Sequence, residues 1–226
     1  PAQPDCNGDC GGVALRGDLN TDTLQTLYDG EMYIDAILDA SLAPATCNDL
    51  NADGAIDVFD AALITDCALA NNSQPTGSVY DHCNFPYGLN NIFDTVQFSI
   101  GNVSFANNYF DVFITNPDNP VVAYQLTFGG IEISNVENLV TPNDYPVTPE
   151  FNVGGNMVVS LSYEDSVIKR YNTPTPLCRV YYSNVTGNEI CIAEVVSSVN
   201  EYYEETESKI VDGCIAYNVG IDEIDN

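Results

Sequence analysis

Twelve consecutive residues constrain this chain more than any other part of its sequence. From Asp49 to Asp60 the string Asp-Leu-Asn-Ala-Asp-Gly-Ala-Ile-Asp-Val-Phe-Asp sets an oxygen donor at positions 1, 3, 5, 7, 9 and 12. Calcium takes roughly six to eight hard oxygen ligands, and a loop of this length delivers them at that spacing. The donors are Asp49, Asn51, Asp53, the carbonyl of Ala55, Asp57 (through water) and Asp60. Gly54 stands where the chain must turn sharply, in a backbone region that suits Gly. Ile56 is placed to fix the loop to a core, and a helix is expected to start as the loop closes. A solvated acidic turn has no reason to match all of these positions. Upstream, Asp18, Asn20, Asp22, the carbonyl of Leu24 and Asp29 repeat the spacing. There Thr23 replaces the Gly and Gln25 the aliphatic residue, so the expectation is a weaker or strained calcium loop. The competing reading is a degenerate repeat kept only for its fold.

The charge balance suits a chain that gathers cations. Five Lys+Arg stand against 33 Asp+Glu among 226 residues, a formal net charge of −28. Such a surface repels phosphate backbones and anionic headgroups, which argues against nucleic acid and membrane surfaces as partners. No apolar run approaches the roughly 20 residues of a membrane-spanning helix. The eight cysteines lack the paired spacings of zinc sites, and there is one His, so the expectation is disulfides in an oxidising compartment. The chain opens at Pro1, and the reading is a secreted, extracellular protein whose signal peptide has been removed. Asn71, Asn102 and Asn184 each begin an acceptor triplet for N-glycosylation.

Two halves differ in hydrophobic period. Residues 30–42 and 57–69 carry apolar side chains at helical spacing, Ala36, Ile37 and Ala40 in the first and Val58, Ala61, Ala62 and Leu69 in the second. From about residue 92 the period becomes two: Val96, Phe98 and Ile100, then Val122, Tyr124, Leu126 and Phe128, then Met157, Val159, Leu161 and Tyr163. Further strands are expected at 109–115, 131–136, 177–183, 189–196 and 213–219. The fold class is therefore mixed, a small helical module with calcium loops joined to an antiparallel β-sandwich or jelly roll. The boundaries read as a Cys/Gly-rich segment 1–16, a calcium-binding module 17–70, a linker 71–91, and a sandwich 92–226 with a short acidic tail.

Two half-EF-hand loops, each closing on Asp and each followed by one helix, resemble a type I dockerin over residues 17–70. The resemblance implies a module that needs calcium to fold and binds a cohesin through one face of its helices. Cys47 and Cys67 flank the second loop, where they are expected to bridge to each other or to Cys83. Ahead of it, Asp5-Cys6-Asn7-Gly8-Asp9-Cys10-Gly11-Gly12 resembles one unit of a short Cys-Gly-Gly repeat of secreted proteins, in which Cys6 and Cys10 would close a small loop as a structural cap. Within residues 92–219, Val122-Ala123-Tyr124-Gln125-Leu126 is similar to an early strand of a cohesin.

Cys178 and Cys191 stand at positions that local strand pairing can bring together. If strands 177–183 and 187–193 form a hairpin centred between Asn184 and Val185, these two cysteines face each other and bridge. Asn184 would then sit at the hairpin tip, and Cys214 would be left for Cys83 or a partner chain.

No nucleophile elbow, phosphate loop or zinc-protease motif occurs, and His82 has no orienting partner in the sequence. The acidic run of Glu201, Glu204, Glu205 and Glu207 reads as a solvated face or a further cation site. The expected function is a secreted, calcium-stabilised assembly protein and not an enzyme, self-associating head-to-tail as the dockerin-like part of one chain docks on the sandwich of the next. Its partners would be other copies of itself or a cohesin- or dockerin-bearing protein. The alternative is a monomeric adhesin or carbohydrate-binding module attached to a separate scaffold. A third arrangement packs both modules within one chain.

Overall fold

The computed structural model describes residues 6–9, 12, 14–72, 83, 85, 90–164 and 166–217. Cys10 and His82 lie outside the described residues. Helix α1 spans Leu27–Asp39, starting earlier than the apolar period alone indicates. The cause is Asp29, whose Oδ2 accepts from the backbone N–H of Thr26 at 2.8 Å and from its hydroxyl at 2.9 Å. Ala40, at φ 48°, ends the helix, and the Ser41 N–H returns to the carbonyl of Ala36 at 3.0 Å. Tyr33, Ile34 and Ile37 are the buried stripe. Helix α2 spans Val58–Asn72. Cys83 and Phe85, expected in the linker, belong to this half: Cys83 bridges to Cys67, and Phe85 is buried under the guanidinium of Arg16 at 5.6 Å.

Among the described residues ten strands follow: β1 Asn90–Ser104, β2 Tyr109–Thr115, β3 Val121–Gly129, β4 Ile131–Asn138, β5 Glu150–Phe151, β6 Met157–Leu161, β7 Thr175–Val185, β8 Glu189–Asn200, β9 Glu205–Ile210 and β10 Cys214–Ala216. They pair in the order β4-β7-β2-β1-β9-β8-β3-β6-β5, with β10 on β8. This path folds over, so the inward side chains of β4-β7-β2-β1 meet those of β8-β3-β6 in one core, with Phe110 against Phe128 and Phe98 near Tyr124. One pairing departs from the antiparallel expectation: β9 lies parallel to β1 where it closes the gap toward β8. Strand β9 falls in the acidic run. Of its side chains only Thr206 is buried, and that side chain bonds Ser198, so no apolar alternation marks the strand.

The disulfides correct several expectations. Cys6 pairs with Cys47, not Cys10, because the N-terminal segment lies beside the connection between the helices and brings their Cα atoms to 5.2 Å. Of the two pairings expected for Cys67, on α2, the structure has the one to Cys83 and not the one to Cys47. Cys191 pairs with Cys214, its register partner across β8 and β10, and not with Cys178. The proposed hairpin does not form: β7 lies between β2 and β4 in one layer while β8 pairs with β3 in the other. Cys178 is a buried free thiol facing the core.

Candidate metal centres and docking face

The two acidic loops share most of their internal hydrogen bonds. Asp49 accepts the backbone N–H of Asp53 (3.2 Å) and Gly54 (2.9 Å), as Asp18 accepts those of Asp22 (3.1 Å) and Thr23 (2.8 Å). Asp53 accepts from Ala55 and Asp22 from Leu24, both at 2.8 Å. At position 12, Asp60 takes the N–H groups of Leu50 (2.6 Å) and Asp57 (3.1 Å), while Asp29 takes those of Leu19 (3.0 Å) and Thr26 (2.8 Å). Backbone twist repeats as well: φ is 59° at both Ala52 and Thr21, 91° at Gly54 and 70° at Thr23. Thr23 therefore carries a β-branched side chain in the left-handed region, the local strain expected of the first loop.

The donor set consists of oxygens alone, which fits a hard divalent cation. Asn51, Asp57 and Asp60 are buried, at 4%, 5% and 1% exposure, and among the described residues no Lys or Arg forms an ion pair with a loop carboxylate. Burial pushes the Asp57 carboxyl up to about 7 and the Asp60 carboxyl up to about 8, and neighbouring acids add to both shifts against the pull of backbone N–H groups. A cation among these oxygens reverses the sign of that effect. The carboxylates themselves stay apart on their backbone donors. Among the described residues the one group of three with ligand atoms inside 4.8 Å is Glu189, Cys191 and Cys214, whose sulfurs bond each other.

The helical pair lies on the outer face of β8, β3 and β6. Ile34, Phe59 and Leu63 share a buried cluster with Val122, Ala123, Val159, Leu161 and Val199. Strand β3 is thus covered on both sides, which explains its near-continuous burial. The face of the helices expected to meet another chain is taken by this chain's own sandwich. At the seam, Gln125 of β3 accepts the N–H of Val58, the first residue of α2, at 2.9 Å and donates to the Met157 sulfur at 3.6 Å. Sequence reasoning did not single out Gln125 as functional, although an amide inside an otherwise apolar strand was the available signal. Glu205, from the acidic run, has its carboxyl raised by burial and then by Asp53 of the second loop, so the sandwich presents an acid to that loop.

Of the glycosylation triplets, Asn184 is exposed on β7 opposite Glu132. Asn102 is exposed in a bulge of β1 at φ 48°, and its amide donates to Asp111 at 3.1 Å. The side chain of Asn71 lies outside the described residues. No described helix is long and apolar enough to cross a membrane.

No family model matches the chain, and no curated protein matches it. Among solved structures it is similar to a cohesin from Clostridium acetobutylicum, at 14% identity and a TM-score of 0.39 over 55% of this chain and 92% of that one. It is similar also to the seventh type I cohesin of a scaffoldin from Pseudobacteroides cellulosolvens, at 10% and 0.38 over 58% and 98%. A type I cohesin–dockerin complex from Clostridium thermocellum matches at 9% and 0.36 over 55% and 93%.

Proposed function

We propose that this chain is a calcium-stabilised extracellular structural unit that carries both halves of a docking pair and closes it on itself. The observation that carries this reading is the shared core, in which Phe59, Leu63 and Ile34 of the dockerin-like half pack on Val122, Val159, Leu161 and Val199 of the sandwich. Calcium in the two loops sets the start of each helix and so the shape of the apolar face that docks. Disulfides hold the connections that the charge of −28 would otherwise push apart. The unit binds and stiffens; it does not turn over a substrate. Exchange of the helical half between neighbours uses the same contact and yields head-to-tail association, closed as a ring or open as a filament.

Sedimentation velocity over a concentration series, in millimolar calcium and in excess chelator, separates the two arrangements. The expected result is a compact monomer in calcium at every concentration, and a slower, expanded monomer in chelator. Species that grow with concentration only in calcium would move the contact between chains. A chain that remains extended in calcium would overturn docking in either form.

A further inference from the structure

Arg16 is the one Lys or Arg ahead of Lys169 in a strongly acidic chain, and it stands two residues before the first loop. Its guanidinium reaches across to the second. Nη2 donates to the carbonyls of Leu50 at 2.6 Å and Asp49 at 3.1 Å, and Nε donates to that of Thr46 at 3.2 Å. The planar fork lies over the Phe85 ring at 5.6 Å, which helps to hold its orientation. The Asp49–Leu50 peptide is thereby held on both sides. Its carbonyl takes Arg16, and its N–H, on Leu50, goes to Oδ1 of Asp60 at 2.6 Å. Hydrogen bonds in such a chain polarise one another, so Arg16 orients the peptide that fixes Asp60, the closing donor of the loop.

The first loop in turn holds Arg16. Gln25 Nε2 donates to the Arg16 carbonyl at 2.7 Å, and the N–H of Gly17 donates to the Cys47 carbonyl at 2.7 Å. Gln25 is the residue that departs from the aliphatic pattern of the loops, and this bond is what the departure supplies. Gly17 sits so close to α2 that an added Cβ would stand 2.8 Å from Ile64. The link is asymmetric in its chemistry. The residue two before the second loop is Cys47, bridged to Cys6, and a disulfide offers no donor to the first loop. Tyr33 of α1 also bonds across, to the Asn48 carbonyl at 2.6 Å, but that residue lies outside the donor set.

We propose that Arg16 is a positioning residue of the second loop and that, through Gln25, it makes the cation affinity of that loop depend on the first loop being filled. The inference rests on the reading above that both loops hold calcium. Charge alone gives the opposite sign. A guanidinium beside a cation site repels the ion, so its removal would tighten binding, whereas loss of positioning weakens it.

The test titrates the full chain with calcium and follows the backbone amide resonances of Thr23 and Gly54, one in each loop, by NMR. Arg16→Met is expected to raise the calcium concentration needed at Gly54 about fivefold or more, the usual scale of coupling between sites. Arg16→Lys, which keeps the charge but not the fork, is expected to fall between. Asp18→Asn, which removes a donor from the first loop, is expected to weaken calcium at Gly54 by a similar factor when Arg16 is present. In the Arg16→Met background the same change is expected to have an effect within about twofold. Gln25→Leu keeps the guanidinium and cuts its tether; it is expected to abolish the dependence on Asp18 in the same way, and it carries the test should Arg16→Met not fold. Unchanged or tighter calcium at Gly54 in Arg16→Met, or an Asp18→Asn effect of equal size in every background, would overturn the inference. The two failures are distinct. Loop amides that respond to calcium independently of each other sink the coupling alone; loop amides that do not respond to millimolar calcium sink the calcium reading, and the coupling with it.

Discussion

At the scale of single residues, the geometry legible in the sequence is the geometry whose parts are close in sequence. The proposed donors of each loop lie within twelve residues, so they can be picked out from spacing alone. The difference between the loops was legible too, and it makes a sharp test. Thr23 at φ 70° occupies the position that Gly54 fills at 91°. A β-branched residue pays about 1–2 kcal/mol in that region. Thr23→Gly should therefore raise Tm by a few degrees in calcium, at roughly 2–4 °C per kcal/mol for a chain of this size, and tighten calcium at the first loop; differential scanning calorimetry and a calcium titration check both. Cys178 shows the converse, a residue whose fate is set by distant parts of the chain. Its burial between β2 and β4 pushes the thiol up to about 12, with Asp111 adding and a hydrogen bond with Tyr124 opposing. A thiol so raised stays protonated at pH 8 and does not attack. Iodoacetamide at that pH should leave Cys178 unlabelled in the native protein and label it fully in guanidinium, as peptide mass spectrometry would read.

At the scale of elements, the strands with a two-residue apolar rhythm were legible and those without it were not. Strand β2 occupies the expected 109–115, because its inward Phe110, Val112 and Ile114 alternate cleanly. Strand β9 is hidden because Ser198 of β8 bonds both Thr206 and Ser208 in place of apolar contacts. Strand pairing was less legible still. Cys178 and Cys191 would face each other in a hairpin, but nothing local shows that the chain crosses between layers after β7. The docking seam joins elements far apart in sequence, and two substitutions probe it. Phe59, 1% exposed, anchors α2 in the shared cluster, and Phe59→Ala should cost about 3–5 kcal/mol. Gln125→Leu keeps the bulk but strands the Val58 N–H, at about 1–3 kcal/mol. If α2 were docked elsewhere, the Gln125 change would fall on an exposed sheet face and leave thermal unfolding nearly unmoved.

At the scale of the whole molecule, 33 acids against five bases is a standing repulsion that any compact arrangement must overcome. Screening by salt and specific occupation of the loops both oppose it, and they can be separated. Ordinary salt shortens the Debye length to about 3 Å at 1 M and weakens repulsion between exposed acids everywhere. It does little for Asp57 and Asp60, which are buried and whose neighbours are acids. A cation held in a loop stabilises by mass action, roughly 4 kcal/mol per site at a thousandfold excess over its dissociation constant. Chelation should therefore lower Tm by many degrees, and 1 M sodium chloride should recover only part of the loss. Millimolar calcium should restore all of it, with magnesium less effective because it demands a tighter octahedral shell and sheds water reluctantly. Full recovery by sodium chloride would mean that charge screening alone holds the halves together, and that the paired loops survive as turns. Recovery by calcium alone, lost at one loop in Asp49→Asn and at the other in Asp18→Asn, would tie the docked state to two specific ions.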